Sequence, residues 1–283
     1  MIRREECVAI TVGGIRIGRN APLVLIAGPC VVENRTMILK TAERIVRIAG
    51  RHHIPLIFKS SYKKANRTSA RSFSSIGEED ALAILAEVRE RFGVPVLTDI
   101  HSVEEAIRAA QVVDILQIPA FLCRQTELLQ AAGRTRKAVN IKKGQFMAPE
   151  DMSQAAEKVV LTGNKKVLLT ERGTTFGYHN LVVDMRSLAI MRRSGFPVVL
   201  DATHSVQLPG EESVRSGGQP EFIFPIARAG VAAGCDALFV ETHPDPAHAL
   251  SDAASQLNLD LLDELIRQVK AIDTIVKKSL KKS

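Results

Sequence analysis

The stretch "LVLIAGPC", residues 23–30, decides how the chain is read. Five apolar residues run without a break, Gly28-Pro29 stops them, and Cys30 follows at once. An unbroken apolar run closed by turn residues reads as a buried strand. Continuous rather than alternating apolar character belongs to a parallel sheet whose outer face is covered by helices. An open dinucleotide-binding sheet would carry G-x-G-x-x-G directly after such a strand, and "AGPC" does not supply it.

The same unit recurs along the chain. Further apolar runs lie at 56–61 ("LIFKSS"), 94–99 ("VPVLTD"), 115–119 ("ILQIP"), 138–143 ("AVNIKK"), 166–171 ("KVLLTE"), 197–203 ("PVVLDAT") and 237–242 ("ALFVET"). Amphipathic helical patterns such as 36–52, 78–93 and 149–161 separate them. Eight strands with helical crossovers in 283 residues point to an α/β fold, a closed (β/α)8 TIM barrel spanning 1–283 as one domain. The opening "VAITVGGIRIG" (8–18) alternates around Gly13-Gly14 and predicts a hairpin that closes the bottom of the barrel.

Composition narrows the function. The net charge is +7, but Lys277, Lys278, Lys281 and Lys282 in the basic tail 277–283 account for four charges, leaving +3. With no Trp and no basic stripe among aromatics, nucleic-acid binding is disfavoured. No run of 18 apolar residues and no signal-peptide core occur, so the expectation is a soluble, cytoplasmic protein without a membrane partner. Four scattered cysteines (Cys7, Cys30, Cys123, Cys235) do not make a disulfide framework. Cys123 and Cys235 read as small buried hydrophobes.

In a barrel of this kind the site is built at the C-terminal strand ends. There the sequence sets Cys30, Lys59, Ser61, Asp99, His101, Gln117, Lys142, Arg172, Asp201, His204, Glu241 and His243. Lys59, Lys64, Arg67, Lys142 and Arg172 would converge on one mouth, a cluster suited to phosphate. "SGG" (216–218) offers weaker support as a phosphate loop. Closure makes strands seven, eight and one neighbours, so Cys30, His204 and Glu241 would meet, with Asp252 on the next loop. One thiol, one imidazole and two carboxylates suit a divalent transition ion, although His101, His179 and His243 compete with His204 on spacing alone. A nucleophilic Cys30 with His204 as base is the other chemical reading.

"IAGPC", "FKSSYKKANRTS", "LTDIH", "LQIPAFLCRQT", "VNIKKGQF", "TERGTTFGYHNLVVDM", "DATHSVQLPG" and "VETHPDP" together resemble the 3-deoxy-D-manno-octulosonate 8-phosphate synthases, from about residue 20 to the last helix. The resemblance implies condensation of phosphoenolpyruvate with arabinose 5-phosphate in the synthesis of the Kdo sugar of lipopolysaccharide. It implies that Lys59, Ser61, Lys64, Gln117, Ala120, Lys142 and Arg172 form the phosphoenolpyruvate side. Asn66, Arg67, Asp99 and Ser216 then take the sugar phosphate, with Phe121 and Arg124 reaching a neighbouring subunit's site in a homotetramer. Lys64, Asp99 and His204 are the implied proton-transfer groups. The family divides into a branch with Asn and a metal-dependent branch with Cys; Cys30 places the chain in the latter, with His204, Glu241 and Asp252 as ligands of Fe, Zn, Mn or Co. The related synthase acting on erythrose 4-phosphate is the nearest alternative, but it has proline where this chain has Asn66. A barrel that merely binds a sugar phosphate would not need a metal site beside two phosphate sites.

Overall fold

A computed structural model describes residues 8–65, 73–210 and 217–280. Eight parallel strands form a closed barrel: Val24–Gly28, Leu56–Lys59, Val96–Asp99, Ile115–Ile118, Ala138–Lys142, Val167–Glu171, Val198–Asp201 and Ala237–His243. They are called the first to eighth barrel strands below. Each pairs with its neighbour in sequence, and the eighth closes on the first through Ala237↔Val24, Leu238↔Leu25 and Phe239↔Ile26. This is the (β/α)8 barrel expected from the recurring apolar runs.

The helices follow from spacing and caps. Arg35–Arg51 begins at Asn34, whose side chain accepts from the Met37 N–H at 2.9 Å. It buries Ile38, Leu39, Ala42, Ile45, Ile48 and Ala49, a three-and-four spacing that faces the strands. Glu78–Phe92 carries Glu78, Glu79 and Asp80 in its first turn, favourable to the helix dipole, and ends at Gly93. The 149–161 pattern is divided into a 3-10 turn, Pro149–Asp151, and a helix, Met152–Val160. No helix among the described residues is long and apolar enough to cross a membrane.

Alternate strand residues face opposite ways, so the barrel has two apolar cores. Leu25, Phe58, Val96, Leu116, Val139, Leu169, Leu200 and Leu238 point outward and pack with the helices. Val24, Ile26, Ile57, Leu97, Ile115, Ala138, Leu168, Val199, Ala237 and Phe239 fill the lower interior. The hairpin Ile10–Val12 and Ile15–Ile17 inserts Ile10, Val12 and Ile17 into that second core. Each such side chain contributes about 1.5–3 kcal/mol when fully buried. At the turn, Gly13 has φ +52° and lies against Pro95, where a Cβ would come within 2.4 Å of the proline ring. Pro95 precedes the third strand, so the hairpin closes the N-terminal end of the barrel, as its alternation predicts.

Candidate active site

Side chains at the inward positions change character toward the C-terminal strand ends. Above the apolar layers the interior carries Lys59, Asp99, Gln117, Asn140, Lys142, Thr170, Arg172, Asp201 and Glu241, all buried. Charge at this depth persists only where it is paired.

Cys30 is brought in by a close strand approach. A Cβ on Gly28 would sit 1.9 Å from the Lys59 carbonyl oxygen, so only glycine lets the first two strand ends run this near each other. Ser61 N–H then donates to the Cys30 carbonyl at 3.1 Å, and Lys59 Nζ donates to the same oxygen at 3.0 Å. The Cys30 thiol donates to Asp252 Oδ2 at 3.0 Å and lies 3.1 Å from Ser251 Oγ. Burial pushes this thiol up, and the Asp252 and Glu241 carboxylates push it further.

Cys30, Glu241 and Asp252 offer ligand atoms that all lie within 4.8 Å of one another. His204 Nε2 stands 3.7 Å from Glu241 Oε2 and 3.8 Å from Asp252 Oδ2. Its Nδ1 is 2.7 Å from Asp201 Oδ2 and 3.2 Å from Lys142 Nζ, so the ring presents Nε2 to the cluster. Among the described residues Glu241 Oε2 is buried without a hydrogen-bond partner, and Asp252 holds φ +49°, a strained backbone for a residue other than glycine. Thiol, imidazole and two carboxylates with an unsatisfied oxygen fit a transition ion better than Mg or Ca.

The competing histidines are held elsewhere. His101 Nδ1 meets Glu105 Oε2 at 2.9 Å. His179 is exposed, with Nδ1 2.6 Å from the Pro209 carbonyl. His243 Nδ1 accepts from the Asp245 N–H at 3.0 Å, and its Nε2 is 3.5 Å from Glu33 Oε1.

Among the cations, Lys59 forms a buried ion pair with Glu241, and Lys142 Nζ lies 2.6 Å from Asp201 Oδ2. Lys64 is looser, 3.9 Å from Asp99 and 4.0 Å from Asp252. Burial alone would raise the Asp99 and Glu241 carboxyls, but the nearby lysines, Lys59 first, hold both well below the usual range. Burial pulls the Lys142 ammonium down, against Asp201. Arg172 donates from Nη2 to Gln207 Oε1 at 2.9 Å, while its buried Nε and Nη1 have no hydrogen-bond partner among the described residues. Two unsatisfied guanidinium donors leave this side chain ready to take an anion.

Ser61 and Gln117 both donate to Asp99, at 2.7 Å and 2.6 Å. Ala120 is buried at the start of the turn after the fourth strand. Phe121 is 58% exposed and Arg124 is exposed; among the described residues neither side chain hydrogen-bonds to this cluster. Asn66, Arg67 and Ser216 lie outside the described residues, as does Cys7. Cys123 and Cys235 are buried, as read from the sequence.

The sequence profile of the DAHP synthetase I family matches residues 3–278. The chain belongs to the DAHP synthetase I family. It is 56% identical over 268 residues to the 2-dehydro-3-deoxyphosphooctonate aldolase of Geobacter sulfurreducens, covering 95% of this chain and 98% of that one. The enzymes of the same name from Geobacter metallireducens and Geotalea uraniireducens are each 57% identical over the same shares. The family resemblance drawn from "IAGPC" to "VETHPDP" is therefore correct, and the erythrose 4-phosphate alternative is not favoured.

Reading strand ends one by one passed over Asn140, Thr170 and Gln207, and set Asp201 at a strand end without giving it a role. Asp201 had a signal, three positions before His204 on the same strand end. Asn140 and Thr170 had only their inward parity, two residues before Lys142 and Arg172.

Proposed function

We propose that this chain is a 3-deoxy-8-phosphooctulonate synthase, a transferase joining phosphoenolpyruvate to D-arabinose 5-phosphate with water, giving 3-deoxy-D-manno-octulosonate 8-phosphate and phosphate for Kdo and lipopolysaccharide synthesis. The observation that carries the site reading is the buried Arg172 guanidinium, with two donors unpaired among the described residues, near a Cys30–Glu241–Asp252 cluster that His204 completes. The name shared by relatives of 56–57% identity supports the reaction.

Phosphoenolpyruvate lies between Arg172, Lys142 and Lys64, against Gln117 and Ala120. Lys59 and Ser61 stand behind this pocket, Lys59 neutralised by Glu241. Arabinose 5-phosphate enters over Asp99, with Arg67 and Ser216 taking its phosphate end and Asn66 a sugar hydroxyl. Holding both anions lets the methylene carbon meet the aldehyde carbon while water adds to the neighbouring carbon and phosphate leaves. Such positioning lowers a barrier by about 7–11 kcal/mol in favourable cases. Lys64, Asp99 and His204 are placed to move protons. Cys30, His204, Glu241 and Asp252 hold an Fe, Zn, Mn or Co ion, which when bound supplies Lewis acidity to an aldehyde oxygen or a water. The single barrel works in the cytoplasm as a homotetramer, where the exposed Phe121 and Arg124 serve a neighbour's site.

The deciding assay follows phosphate release with arabinose 5-phosphate and erythrose 4-phosphate side by side. Arabinose 5-phosphate is the better acceptor, and Asn66→Ala weakens its use by about 1–3 kcal/mol through an unpaired hydroxyl. Higher kcat/KM with erythrose 4-phosphate would sink the assignment.

A further inference from the structure

Inside the barrel a chain of hydrogen bonds runs in one direction across four neighbouring strands, from Thr170 to Asp99, and Ser61 meets it there from the far side. Thr170 Oγ1 donates to Asn140 Oδ1 at 2.6 Å, and Asn140 Nδ2 donates to Gln117 Oε1 at 2.9 Å. Gln117 Nε2 donates to Asp99 Oδ1 at 2.6 Å, and Ser61 Oγ donates to Asp99 Oδ2 at 2.7 Å. All five residues are buried. The strand register sets Asp99 opposite Gln117 and Gln117 opposite Asn140, so the chain runs straight across these three strands and then steps two residues along to Thr170, which pairs with Lys142.

A carboxamide has a donor end and an acceptor end of nearly equal shape, and packing alone does not choose between its two orientations. Here the ends of the chain choose. Asp99, ionised among lysines, only accepts, so Gln117 must turn its NH2 toward it. The Gln117 oxygen then needs a donor, which Asn140 supplies by turning its own NH2 that way. That leaves the Asn140 oxygen in need of a proton, and the Thr170 hydroxyl gives it. With either amide reversed, oxygen would face oxygen in a buried place, which is costly.

We infer that Thr170 and Asn140 are positioning residues that set the orientation of the Gln117 amide and, through it, hold Asp99 as an acceptor at the sugar end of the site. The inference rests on the proposed synthase reading for the meaning of Asp99 and Gln117. Neither Thr170 nor Asn140 need touch a substrate; they act through the two residues beyond them.

The test compares Thr170→Val, which keeps the shape and removes the donor, with Thr170→Ser, which keeps the donor, in the full-length metal-loaded protein. We expect kcat per folded Thr170→Val protein to fall about tenfold, with KM for phosphoenolpyruvate moving less than about threefold, and Thr170→Ser to stay within about twofold of wild type. A Thr170→Val kcat within about twofold of wild type overturns the inference, since a packing role alone would lower only the melting temperature. If the valine variant does not fold, Thr170→Ala is read in the same way. Side-chain amide proton exchange of Gln117 and Asn140, followed by NMR, reads the chain without turnover: slow in wild type, faster in Thr170→Val. Equal exchange in both overturns it. Wild-type protein that releases no phosphate would instead defeat the synthase reading, and the amide exchange would still decide the chain.

Discussion

The two halves of the barrel interior use the same strands and the same inward parity for opposite ends. Below, Val24, Ile57, Leu97, Ile115, Leu168 and Val199 interlock with Ile10, Val12 and Ile17 of the hairpin. Above, two positions further along several of these strands, Lys59, Asp99, Gln117, Thr170 and Asp201 replace them. The lower half is held by transfer of apolar surface from water, which is indifferent to small rearrangements of partner. The upper half is held by specific pairs, Lys59 with Glu241 and Lys142 with Asp201, in which removing one member strands the other. Stability is concentrated in the first and chemistry in the second. Changes in the two halves should therefore separate in experiment.

The largest separation is expected at the metal cluster. Chelation by dipicolinate, or Cys30→Ala, abolishes turnover and metal content together while the melting temperature moves little, because a small side chain at the rim opens little core volume. Metal affinity falls as pH falls, since a thiol raised by burial must lose its proton to ligate. Full activity after exhaustive metal removal, checked by elemental analysis, would return Cys30 to the status of a buried thiol. Cys30→Asn binds metal poorly and keeps some chelator-insensitive turnover.

Next comes Arg172→Ala. Removing this guanidinium costs about 2–5 kcal/mol in phosphoenolpyruvate binding and leaves the sugar far less affected. Calorimetry that found unchanged phosphoenolpyruvate affinity would break the assignment of the anion pocket.

The mirror image is Ile17→Ala at the bottom. Loss of this fully buried side chain destabilises the protein by about 2–5 kcal/mol in denaturant melts. Turnover per folded molecule stays near wild type. A loss of kcat as large as that in the upper half would mean the two halves are coupled and the contrast is wrong.

The smallest effect sharpens the boundary between them. Burial alone would raise the Glu105 carboxyl, but hydrogen bonds from His101 and Tyr62 outweigh it and bring it from 4.5 to about 2. A depressed carboxyl stabilises the fold above its unfolded value and loses that contribution as pH falls toward its folded one. Glu105→Gln should therefore cost about 1–3 kcal/mol near neutral pH. The gap to wild type should narrow as pH drops from 4.5 toward 2. A gap that is constant with pH would show that shape, not charge, is what Glu105 contributes.

The sequence by itself determined the barrel. Buried parallel strands leave uninterrupted apolar runs, and eight of them spaced by helices leave few topologies, so the strand limits read at 56–61 or 115–119 fall within a few residues of those observed. Cys30, Lys142, Arg172 and Glu241 were legible too, because a charge or thiol ending an apolar run is a local anomaly. Tertiary structure decided which of these groups meet. Lys142 and Lys143 are adjacent and chemically alike, yet strand parity sends Lys142 inward to Asp201 and Lys143 outward to Glu171. His204 faces the cluster, whereas Glu105 and the Asp245 N–H engage His101 and His243 elsewhere. Lys59 is neutralised and Arg172 is left open through partners 182 and 35 residues away. Pairing energies depend on distances of a few ångströms in a buried place, and such distances between remote residues are set by barrel closure rather than by neighbours along the chain.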